Sequence, residues 1–101
     1  MARIYNRFKK TAIDRRISWL VSIDEVESIY SGFCALTGWE LSTSIKNCTA
    51  SIDRIDSSKP YMLSNIQWVH TMVNMSKNKY KQSIFIEMCN AVAAMSKKTY
   101  K

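Results

Sequence analysis

The chain has few residues that interrupt or cross-link a polypeptide. Its 101 residues include two glycines and one proline, so no stretch has the composition of a linker or a low-complexity segment. Three cysteines without paired spacing argue against a disulfide framework and favour a reducing compartment. No apolar run is long enough for a signal peptide or a membrane span. We therefore expect a cytoplasmic protein without a membrane partner.

Acidic residues are also scarce. The sequence has 15 Lys and Arg against 8 Asp and Glu, a net charge of +7 that favours polyanionic partners, nucleic acid first. Residues 17–45 contain no basic residue, whereas residues 1–16 contain six basic residues and one acidic residue. We predict a basic N-terminal arm over residues 1–16, free to be mobile, and a single domain over residues 17–101.

Two helices are indicated by their capping patterns. Ser22 and Glu25 form a capping box, which predicts a helix from about Ile23 to Ser31. Ser83 is a candidate cap for a second helix near the C-terminus. Its apolar stripe is predicted to be core: Phe85, Met88, Cys89, Val92 and Met95.

Between these helices the periodicity changes. Residues 50–55 and 66–69 alternate apolar with polar side chains, and the turn-rich residues 57–60 lie between them. We predict a β-hairpin over the two runs, followed by a helix near Thr71 to Lys79. The expected class is α+β, a small β-hairpin plus helix with flanking helices.

The hairpin carries an ordered set of polar residues. Asp53 and Arg54 stand in Asp-Arg-Ile-Asp on the first strand, Asn65 precedes the second strand, and Asn74 lies on the following helix. With Cys34 upstream in Cys-Ala-Leu-Thr-Gly, this order resembles the HNH, or ββα-metal, endonuclease superfamily. It is most similar to small phage-type members with an Asp-Arg-Ile-Asp signature. The resemblance implies a DNA-cleaving enzyme, encoded by a phage or prophage and active in the cytoplasm of the bacterial host.

The resemblance also implies roles for single residues. In the family the strand aspartate and the final histidine or asparagine of the helix bind a divalent metal, and these positions match Asp53 and Asn74. Such sparse ligation suits Mg²⁺, which keeps several of its waters. The ion stabilises the transition-state charge and the leaving oxygen of a phosphodiester. Asn65 matches the central asparagine, which holds the loop and orients the base.

Arg54 departs from the family pattern. Typical members have a histidine there that acts as general base, and an arginine cannot take a proton near neutral pH. Arg54 is therefore either a clamp for the scissile phosphate or a structural partner of Asp56 or another carboxylate. His70, the only histidine, is either a replacement base or a structural residue.

Zinc-binding relatives carry two Cys-x-x-Cys knuckles. The corresponding pairs here read Cys34-x-x-Thr37 and His70-x-x-Val73, which leaves two zinc ligands where a closed site needs four. We expect no structural zinc, and a contact between Cys34 and His70 in its place.

The leading function is a DNA-binding, metal-dependent endonuclease acting on duplex or branched DNA. The predicted catalytic residues are Arg54, Asn65 and His70. An alternative is a catalytically inactive HNH-fold binding module or inhibitor of a host nucleic-acid-handling complex, and an RNA-directed nuclease is a third. Phosphate contacts are expected from a set of basic residues, any one of which could equally be a solvated surface residue: Arg3, Arg7, Lys9, Lys10, Lys59, Lys77, Lys79 and Lys81.

Overall fold

Helices and short strands are mixed along the chain. The computed structural model describes residues 1–99. The elements are α1 (Ala2–Asp14), β1 (Trp19–Leu20), α2 (Ile23–Ser28), β2 (Ala50–Arg54), β3 (Tyr61–Met62), a 3₁₀ turn (Leu63–Asn65), β4 (Ile66–His70), α3 (Thr71–Lys77) and α4 (Gln82–Thr99). The predicted α+β class is confirmed. The predicted domain extends to residue 101, and its last two residues lie outside the described range.

The predicted hairpin is the antiparallel pair of β2 and β4. Ile52 lies opposite Trp68, and Asp53 lies opposite Gln67. Because side chains alternate along a strand, Ile52 and Trp68 share one face, where the indole nitrogen of Trp68 donates to the Val26 carbonyl of α2. The other face of β2 meets α3. This double coverage explains why β2 is buried on both sides.

Helix α2 begins at the predicted capping box. The Ser22 hydroxyl accepts from the Glu25 amide at 3.2 Å, and the Glu25 carboxylate accepts from the Ser22 amide at 3.0 Å. The helix ends at Ser28, earlier than predicted. Its last turn tightens, since the Tyr30 amide donates to the Glu27 carbonyl three residues back.

The N-terminal residues differ from the expected mobile arm. They form α1, in which Ile4 and Ala12 are 0% and 1% exposed and Phe8 packs beside them. These apolar residues recur every four positions and give the helix a docking face that the high basic content obscured in the sequence. The Tyr5 hydroxyl adds a hydrogen bond to the Val21 carbonyl at 2.8 Å. The basic segment is therefore part of the folded domain.

Helix α4 also differs from expectation. It begins at Gln82, so Ser83 is its second residue rather than its cap. Within residues 82–98 Phe85 is the only buried side chain, and Met88 and Val92 are 51% and 64% exposed. The prediction that the whole stripe is core was wrong, because periodicity identifies an apolar face without saying what covers it. No helix within residues 1–99 is long and apolar enough to cross a membrane.

Docking of α1 can be tested with two isoleucines of the same helix. Ile4→Ala should lower the free energy of unfolding by about 2–5 kcal/mol, because it opens a cavity in the core. Ile13 is 58% exposed, so Ile13→Ala should change that free energy by no more than about 0.5 kcal/mol. Urea denaturation measures both. Equal, small effects of the two substitutions would show that α1 is not docked.

Candidate active site

Three residues predicted to be catalytic or metal-binding line one cleft. Asp53, Arg54 and Asn74 meet in a cavity of about 360 Å³ between β2, α3 and the loop after β2. The other lining residues are mostly polar or cationic: Arg15, Ser57, Tyr61, Met75, Asn78 and Lys79. A concave polar site with convergent functional groups is typical of a binding or catalytic site.

Asp53 is held by a buried ion pair. Its Oδ2 accepts from Lys77 Nζ at 2.6 Å and from Gln67 Nε2 at 2.9 Å. Lys77 is 1% exposed and also donates to the Arg54 carbonyl at 2.7 Å. The pair fixes the carboxylate and fastens α3 to β2. The prediction that Lys77 contacts phosphate was wrong, because its ammonium group is enclosed and fully engaged inside the protein.

The second carboxylate oxygen of Asp53 remains accessible. Both hydrogen bonds to the Asp53 side chain from residues 1–99 end on Oδ2. Every buried side-chain nitrogen or oxygen in that range has a hydrogen-bond partner. Oδ1, which has none, must therefore reach solvent, and the solvent next to Asp53 is that of the cleft. One carboxylate oxygen is thus unpaired on the side of the cleft, on a side chain that is 4% exposed as a whole.

Asn74 supplies a second oxygen. Its Nδ2 donates to Ser51 Oγ at 2.8 Å, which anchors the amide on the face of β2 that also carries Asp53. Within residues 1–99 nothing donates to Asn74 Oδ1. A carboxylate and an amide oxygen at one cleft fit a hard divalent cation. No three His, Cys, Asp or Glu side chains in the described chain come together to hold a metal, so the remaining ligands would be water or substrate.

Arg54 is positioned by neighbours other than Asp56. Its guanidinium donates to the Lys59 carbonyl at 3.0 Å and lies 5.1 Å from the centre of the Tyr61 ring. Asp56 instead accepts from the Ser58 hydroxyl and amide, and these hydrogen bonds lower the pKa of the Asp56 carboxyl. Within residues 1–99, Arg54 forms no ion pair with Asp56 or with another carboxylate. A planar cation held at the cleft wall is suited to a phosphate.

Asn65 fastens the loop that follows β2. It is 5% exposed, its Oδ1 accepts from the Asp56 amide, and its Nδ2 donates to the Asp56 and Pro60 carbonyls at 3.0 and 2.9 Å. These three bonds fix the segment that carries Lys59, whose carbonyl in turn positions Arg54. The contacts suit the loop-holding role; the orientation of a base stays a prediction.

His70 lies apart from the cleft. Its Nδ1 accepts from the Met72 amide at 3.1 Å and caps α3, while its ring packs edge-on against Trp39 at 5.4 Å. It is not among the residues that line the cavity with Asp53. These contacts are structural, and a role for His70 as general base has no geometric support.

Cys34 and His70 are neighbours, as expected from the degenerate knuckles. Burial raises the pKa of the Cys34 thiol, but hydrogen bonds from the Thr37 hydroxyl and from the backbone amides of His70, Leu36 and Thr37 outweigh it and lower that pKa overall.

Basic residues surround the cleft unevenly. Arg15 and Lys79 line it, and of these the sequence had predicted only Lys79. Arg15 was not foreseen because its place depends on how α1 docks. The remaining predicted phosphate contacts are solvent-exposed, on α1 or near the cleft: Arg3, Arg7, Lys9, Lys10, Lys59 and Lys81.

The buried pair can be tested by removing one partner. Lys77→Met should lower the free energy of unfolding by about 3–5 kcal/mol, because it strands the Asp53 charge in the interior. Asp53→Leu combined with Lys77→Met should recover most of that loss. Lys79→Met, at an exposed position two residues on, is the control and should change the free energy by less than about 0.5 kcal/mol. Thermal unfolding gives the comparison, and a harmless Lys77→Met would contradict the pair.

Comparisons with known proteins give limited information. No family model matches the sequence, and no solved structure matches the chain. The chain is similar to an uncharacterized protein of Acanthamoeba polyphaga mimivirus, with 29% identity over 89 residues. The aligned region covers 88% of this chain and 16% of the viral protein. The similarity connects the chain to a viral protein without indicating an activity.

Proposed function

We propose that this chain is a DNA-binding, divalent-metal-dependent endonuclease with an HNH-type site. The observation that carries the proposal is the convergence of Asp53, Asn74 and Arg54 on one cleft. Two oxygens without partners in residues 1–99 lie beside a positioned guanidinium, and this combination suits a metal ion and a phosphate together.

Each side chain has a distinct task in this proposal. Asp53 Oδ1 and Asn74 Oδ1 would hold the ion, which would stabilise charge on the phosphate and on the leaving oxygen. Lys77 and Gln67 keep the carboxylate in place through its other oxygen. Arg54 binds a phosphate oxygen. The residues that line the cleft include no histidine, so the proton of the attacking water must leave to solvent, and we expect slow cleavage.

DNA is the proposed substrate because α1 carries exposed cationic side chains and Arg15, directly after the helix, lines the cleft. Arg3, Arg7 and Lys10 recur three or four residues apart, so they share one face of the helix. Arg15 follows the end of α1 and lines the cleft. Phosphates that bind these side chains would release their counterions, which favours a polyanionic substrate such as DNA.

A second candidate, a catalytically inactive binding module on the same fold, has its own support. The ammonium group of Lys77 already neutralises the charge of Asp53, so the carboxylate needs no metal ion to balance it. Arg54 stands where relatives have the general base, and His70 lies outside the cleft. Such a protein would bind nucleic acid or a host complex without cutting.

Cleavage of supercoiled plasmid tests the proposal. We expect nicking with Mg²⁺, Mn²⁺ or Ni²⁺ that a chelator abolishes. Asn74→Ala should lower the rate at least about 10-fold, because even residues that only orient metal ligands contribute roughly 10–100-fold. Asn90→Ala on α4, an exposed asparagine away from the cleft, is the matched control and should cleave like the wild type.

The same assay tests the role of Arg54. As a phosphate clamp, it should be partly replaceable by lysine, and Arg54→His should cleave more slowly than Arg54→Lys. Faster cleavage by Arg54→His would instead mean that the site lacks only a proton acceptor. A wild type that retards DNA in gels but cuts with none of the three ions would replace the endonuclease with the binding module.

A further inference from the structure

A tyrosine at the cleft has a hydroxyl group that the protein itself does not use. Tyr61 lines the cleft and is 9% exposed. Within residues 1–99 its hydroxyl makes no hydrogen bond, although every buried side-chain nitrogen or oxygen in that range has a partner. The hydroxyl oxygen is therefore not enclosed, and it reaches solvent from a residue that lines the cleft.

The ring of Tyr61 is held in place by its neighbours. The Tyr61 amide donates to the Ser18 carbonyl at 3.0 Å, and the pairing of β1 with β3 aligns Tyr61 with Trp19. The centres of these two rings are 4.9 Å apart. The indole nitrogen of Trp19 donates to the Tyr5 hydroxyl at 3.1 Å, and that hydroxyl donates to the Val21 carbonyl. A hydroxyl on a ring fixed in this way loses little freedom when it binds a ligand.

The two tyrosines of this aromatic cluster use their hydroxyls differently. The Tyr5 hydroxyl joins Trp19 to Val21 and so helps to dock α1. The Tyr61 hydroxyl joins nothing within the described residues, and a phenylalanine would supply the same ring to Trp19. Packing therefore accounts for the ring of Tyr61 but not for its oxygen.

The Tyr61 ring also lies beside the guanidinium of Arg54. The central carbon of that guanidinium is 5.1 Å from the centre of the ring. Of the five N–H groups of Arg54, the structure of residues 1–99 shows one in use, on the Lys59 carbonyl. An O–H donor and a planar cation thus stand side by side at the cleft. A phosphate, which carries several anionic oxygens on one small group, can accept from both.

We propose that the Tyr61 hydroxyl binds DNA by donating to a non-bridging oxygen of the phosphate that Arg54 binds. This inference rests on the proposed function and adds to it a phosphate-binding residue outside the motif. The two contacts differ in their response to salt. Binding of a phosphate by Arg54 releases a counterion, whereas a neutral hydroxyl contributes a directed hydrogen bond and releases none.

Binding of a labelled duplex, measured by fluorescence anisotropy with a chelator present to prevent cleavage, tests the contact. Tyr61→Phe keeps the ring and should weaken binding about 10-fold, the loss expected for one hydrogen bond to a charged group. Its melting temperature should match that of the wild type, because the hydroxyl has no partner within residues 1–99. Tyr5→Phe should lower the melting temperature, because it removes two hydrogen bonds.

Tyr30→Phe is the matched control for binding. Tyr30 packs against Trp68, on the side of the hairpin that faces α2, and it does not line the cleft. This variant should bind the duplex like the wild type.

The salt dependence of binding separates a direct contact from an effect through Arg54. Tyr61→Phe should leave the slope of log affinity against log salt unchanged, whereas Arg54→Met should reduce its magnitude by about 1. A reduced slope for Tyr61→Phe would mean that the hydroxyl only positions Arg54, and an unchanged affinity would mean that it contacts no phosphate. Either result overturns the proposal. If the wild type binds DNA but cleaves no plasmid, the endonuclease is rejected, while a 10-fold loss for Tyr61→Phe still supports the phosphate contact.

Discussion

The buried ion pair of Asp53 and Lys77 is the interaction on which the proposed site depends. Helix α3 has to lie against β2 for Asn74 to reach the same cleft as Asp53, and the pair joins these two elements at 2.6 Å. A buried charge is tolerated only with a partner and further hydrogen bonds, which Gln67 and the Arg54 carbonyl provide. Stability and site geometry therefore rest on the same contact.

The pair also determines which part of Asp53 is available for chemistry. Lys77 and Gln67 occupy one carboxylate oxygen and leave the other at the cleft. The negative charge is partly offset, which weakens its attraction for a divalent ion, while the fixed orientation removes the entropy cost of ordering the ligand. We therefore expect the proposed metal site to be well ordered but of modest affinity, and to be completed by the phosphate of a bound substrate.

The features that the sequence predicted were those encoded locally. The capping box of Ser22 and Glu25 and the alternation that produced β2 and β4 needed no knowledge of distant contacts. The conjunction of Asp53, Arg54 and Asn74 followed from the order of a motif. What was missed depends on tertiary packing: whether Lys77 points to solvent or inward, whether α1 docks, and where its last turn places Arg15.

The apolar stripe of α4 shows the same limit on what a sequence can predict. Its period correctly indicated a helix with an apolar face, and composition could not say whether that face meets this chain or another. Phe85 is buried, whereas Met88 and Val92 beyond it are 51% and 64% exposed. Periodicity predicts that a helix has an apolar face. Whether other residues of the same chain cover that face depends on the tertiary packing.

Anomalous scattering from crystals grown with Mn²⁺ and a short DNA duplex would show whether Asp53 and Asn74 bind a metal ion. We expect a manganese peak at coordinating distance, about 2.0–2.6 Å, from both Asp53 Oδ1 and Asn74 Oδ1, with a phosphate oxygen on the opposite side. The Lys77 ammonium should remain on Oδ2. A map in which duplex lies in the cleft without manganese between these two residues would contradict the metal-dependent site.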